Sequence, residues 1–175
     1  MTAAPPAPTL DELYAPFGSG ADRPTAVVIT AGELPPQYRR LLDHTHHMTV
    51  TVEAFHDGPV DVRVLESVQA GDDYARRILL TRRRDGAVVQ YGVVRIDLAA
   101  LPSAVRAEVL GGQTPLGRVL IGHDVLRTVT PTSFLRVTPS AAMHEVLGHG
   151  PLYGRLGVLT VEGRPAIRVC EILAS

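Results

Sequence analysis

The chain has 175 residues, a formal net charge of −1 and 45% hydrophobic residues, as expected for one globular domain. The near-neutral charge gives no basic field for nucleic acid, and no apolar run approaches the roughly 18 residues of a membrane span. All 17 basic residues are arginines, which excludes Schiff-base catalysis by lysine, and the single Cys170 excludes an internal disulfide. We expect a cytoplasmic protein without nucleic-acid or membrane partners.

The predicted elements, in chain order, begin with a Pro/Ala-rich segment over 1–9, interpreted as a disordered tail before a single domain over 10–175. Helices are predicted at 35–43, 48–55 (helical or irregular), 99–110 and 115–121. Strands are predicted from alternating patterns between turn signals at 60–64, 74–82, 87–98, 125–137, 153–161 and 166–173. Short turns between successive strands predict an α+β fold, with a single antiparallel sheet of about six strands and flanking helices over one face.

One histidine motif resembles a zinc site. His144 and Glu145 are followed by His149, five residues after the first histidine rather than the four of a helical zinc motif. Helical positions five apart point about 140° away from each other. Glycines and a proline at 148, 150 and 151 also disfavour a continuous helix. We expect a loop over 144–150 that leads into the next strand, and no metal.

A second group of histidines, His44, His46 and His47, has two interpretations. Histidines two apart in a strand could share a metal, and His123 or His144 could complete its coordination. No carboxylate or cysteine lies at a useful spacing, so a cluster of surface histidines is the favoured interpretation.

Two charged residues share strand faces with apolar residues. Arg76 has the same parity as Ile78 and Leu80, and Glu171 has the same parity as Val169. Buried charges are costly unless they are paired or bound. One explanation is a structural Arg76–Glu171 ion pair. The other is a pocket in which the arginine binds an anionic ligand and the glutamate handles a proton.

Five ordered motifs over roughly residues 35–173 resemble those of the chorismate pyruvate-lyases (4-hydroxybenzoate synthases). They are Leu41-Leu42 followed by Met48-Thr49, Arg76–Leu80, Thr114–Leu120, Leu152–Arg155 and Glu171–Leu173. The resemblance implies an antiparallel sheet of about six strands with helices flanking a buried ligand pocket. It also implies a cofactor-independent carbon–oxygen lyase, which converts chorismate to 4-hydroxybenzoate and pyruvate by eliminating the enolpyruvyl group.

The same resemblance implies residue roles. Arg76 would grip the ring carboxylate, and Glu171 would act as acid and base beside the ether oxygen, which makes both residues catalytic. Met48 and Leu116 would contact the substrate through backbone groups, and Arg155 would also bind it. This sequence departs from the family at position 156, where Leu156 replaces a second arginine. If that arginine assists the pyruvyl carboxylate in the family, activity on chorismate would be weakened or the substrate would differ. If it is a surface residue there, nothing is lost.

Two alternatives remain beside the chorismate lyase. One is a lyase, dehydratase or cyclase of the same fold that acts on another carboxylated metabolite in secondary metabolism. The other is a non-catalytic small-molecule-binding domain, as in the effector domains of some transcription regulators, which we rank last because no winged helix fits ahead of residue 35. All three imply a small-molecule partner and a monomer or small homo-oligomer. We expect a bacterial protein serving ubiquinone or secondary-metabolite biosynthesis.

Overall fold

The structure, a computed structural model, describes residues 6–175, so the predicted tail over 1–9 lies partly outside the described residues. Within this range the chain forms seven strands: β1 (Thr25–Ile29), β2 (Val60–Ala70), β3 (Asp73–Arg82), β4 (Val88–Asp97), β5 (Arg127–Thr138), β6 (Leu152–Val161) and β7 (Arg164–Leu173). It also forms six α-helices: α1 (Leu10–Tyr14), α2 (Pro36–Leu42), α3 (Met48–Phe55), α4 (Ser103–Gly111), α5 (Leu116–Gly122) and α6 (Ala141–Leu147). None of the helices in residues 6–175 has the length and apolar character to cross a membrane.

All seven strands belong to one open antiparallel sheet, in the order β1-β5-β6-β7-β4-β3-β2. This confirms the predicted α+β class and the single antiparallel sheet. The strand count is seven rather than about six because β1 is a short edge strand. Its Val27 and Val28 are both exposed, so β1 lacks the alternation that identifies a half-buried strand.

Turn and cap residues explain where several elements begin and end. Glu162 and Gly163, between β6 and β7, both have positive φ, as a two-residue hairpin turn requires. Thr9 caps α1 through a reciprocal capping box with Glu12. These local contacts fix where the elements begin and end, whereas the packing of the elements depends on the rest of the fold.

Helix α6 corrects the sequence prediction of a loop over 144–150. Ser140 caps the helix by accepting a hydrogen bond from the Met143 N–H at 3.3 Å, and Met143 and Leu147 are buried against the sheet. The helix ends before Gly148, whose φ is 96°. Burial of the apolar side of this short helix outweighs the weak helical signal of its sequence.

The two faces of the sheet are both covered, and the cavity described below lies on one of them. Helices α2 and α3 pack on this face around one hydrophobic cluster, and α4 and α5 pack around a second. Helices α1 and α6 cover the opposite face, around a third cluster that contains Tyr91, Leu156 and Cys170. The sequence predicted helices over only one face of the sheet. The structure has helices on both faces, because α1 and α6 were not predicted.

Candidate functional site

Four neighbouring strands present alternate side chains in rows across the face that α2–α5 cover. In the first row Arg76 on β3 lies opposite Val94 on β4. In the second, Gly92 on β4 lies opposite Glu171 on β7. Gln90 on β4 belongs to the third. Since a strand rises about 3.3 Å per residue, the first and third rows are about 13 Å apart along the strands.

A cavity of about 50 Å³ lies over these rows. The residues that the sequence assigned to ligand contact all line it: Met48, Arg76, Leu116, Arg155 and Glu171. Most of the remaining lining is aliphatic. The cavity therefore combines apolar walls with a few buried polar groups.

The helices over the cavity meet closely where they begin. Met48 is the first residue of α3 and Leu116 is the first residue of α5. A side chain on Gly117 would place its Cβ 3.0 Å from the Thr49 hydroxyl and 3.1 Å from the Cβ of His47. A glycine after Leu116 thus allows the starts of the two helices to approach each other above the sheet.

Arg76 is a buried cation with little local compensation. Its residue exposure is 1%, and its Nη1 donates a 3.1 Å hydrogen bond to the Val109 carbonyl. Its Nε has no hydrogen-bond partner, and no carboxylate among residues 6–175 forms an ion pair with it. Burial lowers the pKa of the Arg76 guanidinium, an effect that the nearby Tyr74 partly offsets. A buried, unpaired guanidinium beside a cavity is suited to bind an anion.

Glu171 pairs with Arg155 rather than with Arg76. The Arg155 Nε donates to Glu171 Oε2 at 2.7 Å, and both side chains are buried or nearly so. The Arg76–Glu171 ion pair considered from the sequence is therefore absent from residues 6–175. The two residues share the cavity, but each has a different neighbour.

Arg155 also holds the loop between α2 and α3. Its Nη1 donates to the carbonyls of Leu42 at 3.0 Å and His44 at 2.8 Å, and its Nη2 donates to the His46 carbonyl at 3.2 Å. Together with the bond to Glu171, these contacts use most of the guanidinium donors. Arg155 thus orients Glu171 and fastens this loop over the cavity.

Position 156, where the family has a second arginine, does not line this cavity. Leu156 has the opposite parity to Arg155, lies opposite Cys170 and is 5% exposed in the cluster beneath α1 and α6. Its side chain faces away from the cavity. Neighbouring Gly154 is required by packing, since a Cβ there would lie 2.5 Å from the Glu171 carbonyl oxygen.

The histidine cluster lies on the loop that Arg155 fastens. His47 lines the cavity and also an open groove on its outer side, where its Nε2 accepts a 2.7 Å hydrogen bond from the Arg127 Nε. Burial, reinforced by the positive charges of Arg127 and Arg155, lowers the pKa of His47 to about 4. His47 therefore lines the cavity as a neutral group at pH 7. His44 and His46 stack with ring centroids 5.6 Å apart.

The other histidines lie elsewhere. His123 contacts Glu108 at 2.7 Å, and His144 stacks on His149 with centroids 5.6 Å apart. Neither joins the histidines of the α2–α3 loop. Within residues 6–175 no group of three histidine, cysteine or acidic side chains is arranged to hold a metal ion.

Gln90 and Gly92 are among the cavity residues that were not assigned from the sequence. Gln90 is 4% exposed and its Oε1 has no hydrogen-bond partner, while Gly92 forms the floor between Gln90 and Arg76. A Cβ on Gly92 would lie 3.1 Å from the Ile78 Cδ1. The alternation that singled out Arg76 also applies to β4, where Gln90 is a polar residue on an apolar face. That signal was available but was not used.

Comparison with solved structures shows the fold. The chain is similar to PhnF from Mycobacterium smegmatis, with 13% identity and a TM-score of 0.50 over 75% of this chain, and it spans 65% of that protein. It is also similar to the effector domain of PhnF, with 12% identity and a TM-score of 0.51 over 74% of this chain and 89% of that domain. A GntR-family transcriptional regulator from Bacillus cereus matches with 12% identity and a TM-score of 0.44, over 66% of this chain and 91% of that one. No family model and no curated protein matches the chain.

These findings correct the expected activity. The expectation of a carbon–oxygen lyase is wrong, as are the expectations of chorismate cleavage to 4-hydroxybenzoate and pyruvate and of a place in ubiquinone or secondary-metabolite biosynthesis. The similar structures are PhnF and its effector domain rather than lyases. The roles assigned to individual residues, among them Arg76 and Glu171, stay predictions. What the family resemblance predicted well is the fold.

Proposed function

We propose that the chain is a non-catalytic small-molecule-binding domain whose ligand is a carboxylated metabolite. The observation that carries this proposal is Arg76, a guanidinium that is 1% exposed, lines the cavity and has an Nε without a partner. Burying such a charge costs several kcal/mol unless an anion compensates it. A ligand carboxylate would supply that anion and form charge-assisted, bidentate hydrogen bonds.

The surroundings of Arg76 favour tight and selective binding. Ile78, Val94 and Val169 lie on the same cavity wall, and their apolar side chains lower the local dielectric. An ion pair formed there is stronger than one at the surface. The start of α3 at Met48, which no side chain caps, adds the positive end of a helix dipole to the same cavity.

The contacts of Glu171 support binding rather than proton transfer. Its Oε2 is engaged by Arg155, and Arg155 is itself fixed by the carbonyls of the α2–α3 loop. In this arrangement Glu171 helps to hold the cavity closed by that loop. The likeness to the effector domain of PhnF supports a sensor role, in which ligand binding is reported to a DNA-binding partner.

The test is calorimetric titration with a series of straight-chain monocarboxylates, each compared with its uncharged methyl ester. We expect at least one acid to bind and its ester to bind at least about tenfold more weakly, because the ester loses the ionic contact. Arg76→Met should weaken the acid by about 10- to 100-fold. Arg77→Met is the matched control, because Arg77 points to the opposite face and pairs with Glu66.

Two results would contradict the proposal. One is equal binding of acid and ester, which would remove the carboxylate from the recognition. The other is equal loss of affinity in the Arg76 and Arg77 variants, which would indicate a general effect on the fold.

A further inference from the structure

Gln90 is a second buried polar group of the cavity that lacks a partner. The residue is 4% exposed, it lines the cavity, and its Oε1 accepts no hydrogen bond from residues 6–175. Its amide nitrogen lies 3.7 Å from the position that a Cβ on Gly92 would occupy, so the amide leans over the glycine floor. An unmatched buried acceptor destabilises the protein, and a hydrogen-bond donor on a ligand would satisfy it.

The position of Gln90 relative to Arg76 is set by the strand register. Arg76 lies opposite Val94, and Gln90 lies four residues before Val94 on β4, so the two residues stand about 13 Å apart along the strands. Gly92 lies between them on the same face. The two unpartnered groups therefore line one cavity at opposite ends, with Gly92 and the side chain of Ile78 between them.

A neutral ligand group suits the Gln90 end of the cavity, because Arg155 is already paired there and no free cation among residues 6–175 lies at that end to compensate a second carboxylate. Glu171 lies opposite Gly92, which makes it a diagonal neighbour of Gln90, and a second carboxylate at this end would face it. A hydroxyl or a primary amide can donate to the Gln90 oxygen without that repulsion.

We infer that Gln90 determines ligand specificity by selecting a carboxylic acid that carries a neutral hydrogen-bond donor, a hydroxyl or an amide, at the end remote from its carboxylate. The inference rests on the proposed function, because it takes the carboxylate to lie at Arg76. It adds a second point of recognition, which the carboxylate alone does not require.

The experiment compares two series of aliphatic monocarboxylates of increasing chain length, one ending in a primary amide and the other in an isopropyl group of similar shape. Binding to the full chain is measured by calorimetry. At the best-fitting length we expect the amide-ended acid to bind at least about tenfold more tightly than its isopropyl counterpart. In Gln90→Met the preference should fall below about threefold or reverse, because methionine keeps the volume but removes the acceptor.

Gln90→Leu serves as a second variant, and thermal unfolding confirms that each variant is folded. Equal binding of the two series by the unmodified chain would overturn the inference while leaving the carboxylate site intact. An amide preference that survives in both folded variants would also overturn it. Failure of every acid in both series to bind would instead refute the proposed carboxylate site, and the inference with it.

Discussion

Replacing Arg76 by methionine should stabilise the ligand-free protein, while the same change at the next residue should destabilise it. Arg76 faces the cavity and has one hydrogen bond, to Val109. Arg77 faces the other side, where it donates to Glu66 at 3.1 and 2.5 Å and lies 5.6 Å from the centre of the Phe17 ring. The two substitutions remove the same charge and volume from adjacent positions of β3.

The magnitudes follow from these contacts. Arg76→Met relieves the several kcal/mol needed to bury an uncompensated guanidinium, and it loses one hydrogen bond of about 1.5–3 kcal/mol. The net gain is about 1–3 kcal/mol, which corresponds to a rise in Tm of about 2–12 °C for a domain of this size. Arg77→Met gains nothing comparable and loses a partly buried ion pair and a cation–π contact, at a cost of about 1–2 kcal/mol.

The assay is urea and thermal unfolding of both variants without ligand, beside the unmodified chain. Opposite signs for the two changes in unfolding free energy are the expected result. If Arg76→Met lowers the stability as much as Arg77→Met does, then Arg76 is compensated in the ligand-free protein and the anion-site reasoning fails. The same preparations supply the calorimetric comparison described above, so stability and binding are read from one pair of variants.

Three further predictions concern the cavity. Arg155→Met should cost about 3–5 kcal/mol of unfolding free energy in urea, because it leaves Glu171 buried without its partner. Adding Glu171→Gln should recover part of that loss. An equal loss in the double variant would contradict this role of Arg155. The lowered pKa keeps the His47 side chain neutral in the folded protein. Its contribution to the unfolding free energy is therefore complete above about pH 6.5. That contribution declines by about 1–2 kcal/mol, after solvent screening, as the pH falls toward 4. His47→Asn should flatten that part of the stability profile, and an unaltered slope would refute the assignment. Gly92→Val should fill the cavity floor and abolish acid binding with the circular dichroism spectrum retained, so undiminished affinity would show that the ligand lies elsewhere.

Much of the sheet and one aspect of the site could be predicted from sequence because they depend on local periodicity. Alternation in β3 and β7 placed Arg76 and Glu171 on apolar faces, and both line the cavity. The turn at Glu162-Gly163 was visible from its residue types. Edge strand β1 and helix α6 were missed, because an exposed strand has no alternation and a short helix depends on tertiary packing for its stability.

The pairing of charges could not be read from the sequence, because it depends on which strands become neighbours. The register of β6 against β7 brings Arg155 to Glu171, and the fold of the α2–α3 loop brings three carbonyls to the same guanidinium. Arg76 donates one hydrogen bond, to the Val109 carbonyl, and otherwise faces the cavity. Local periodicity in the sequence was enough to show which residues share a face of the sheet. Which charges form ion pairs, and that Arg76 forms none within residues 6–175, depends on the tertiary structure, because ion pairing acts over a few ångströms between groups that are far apart in the chain.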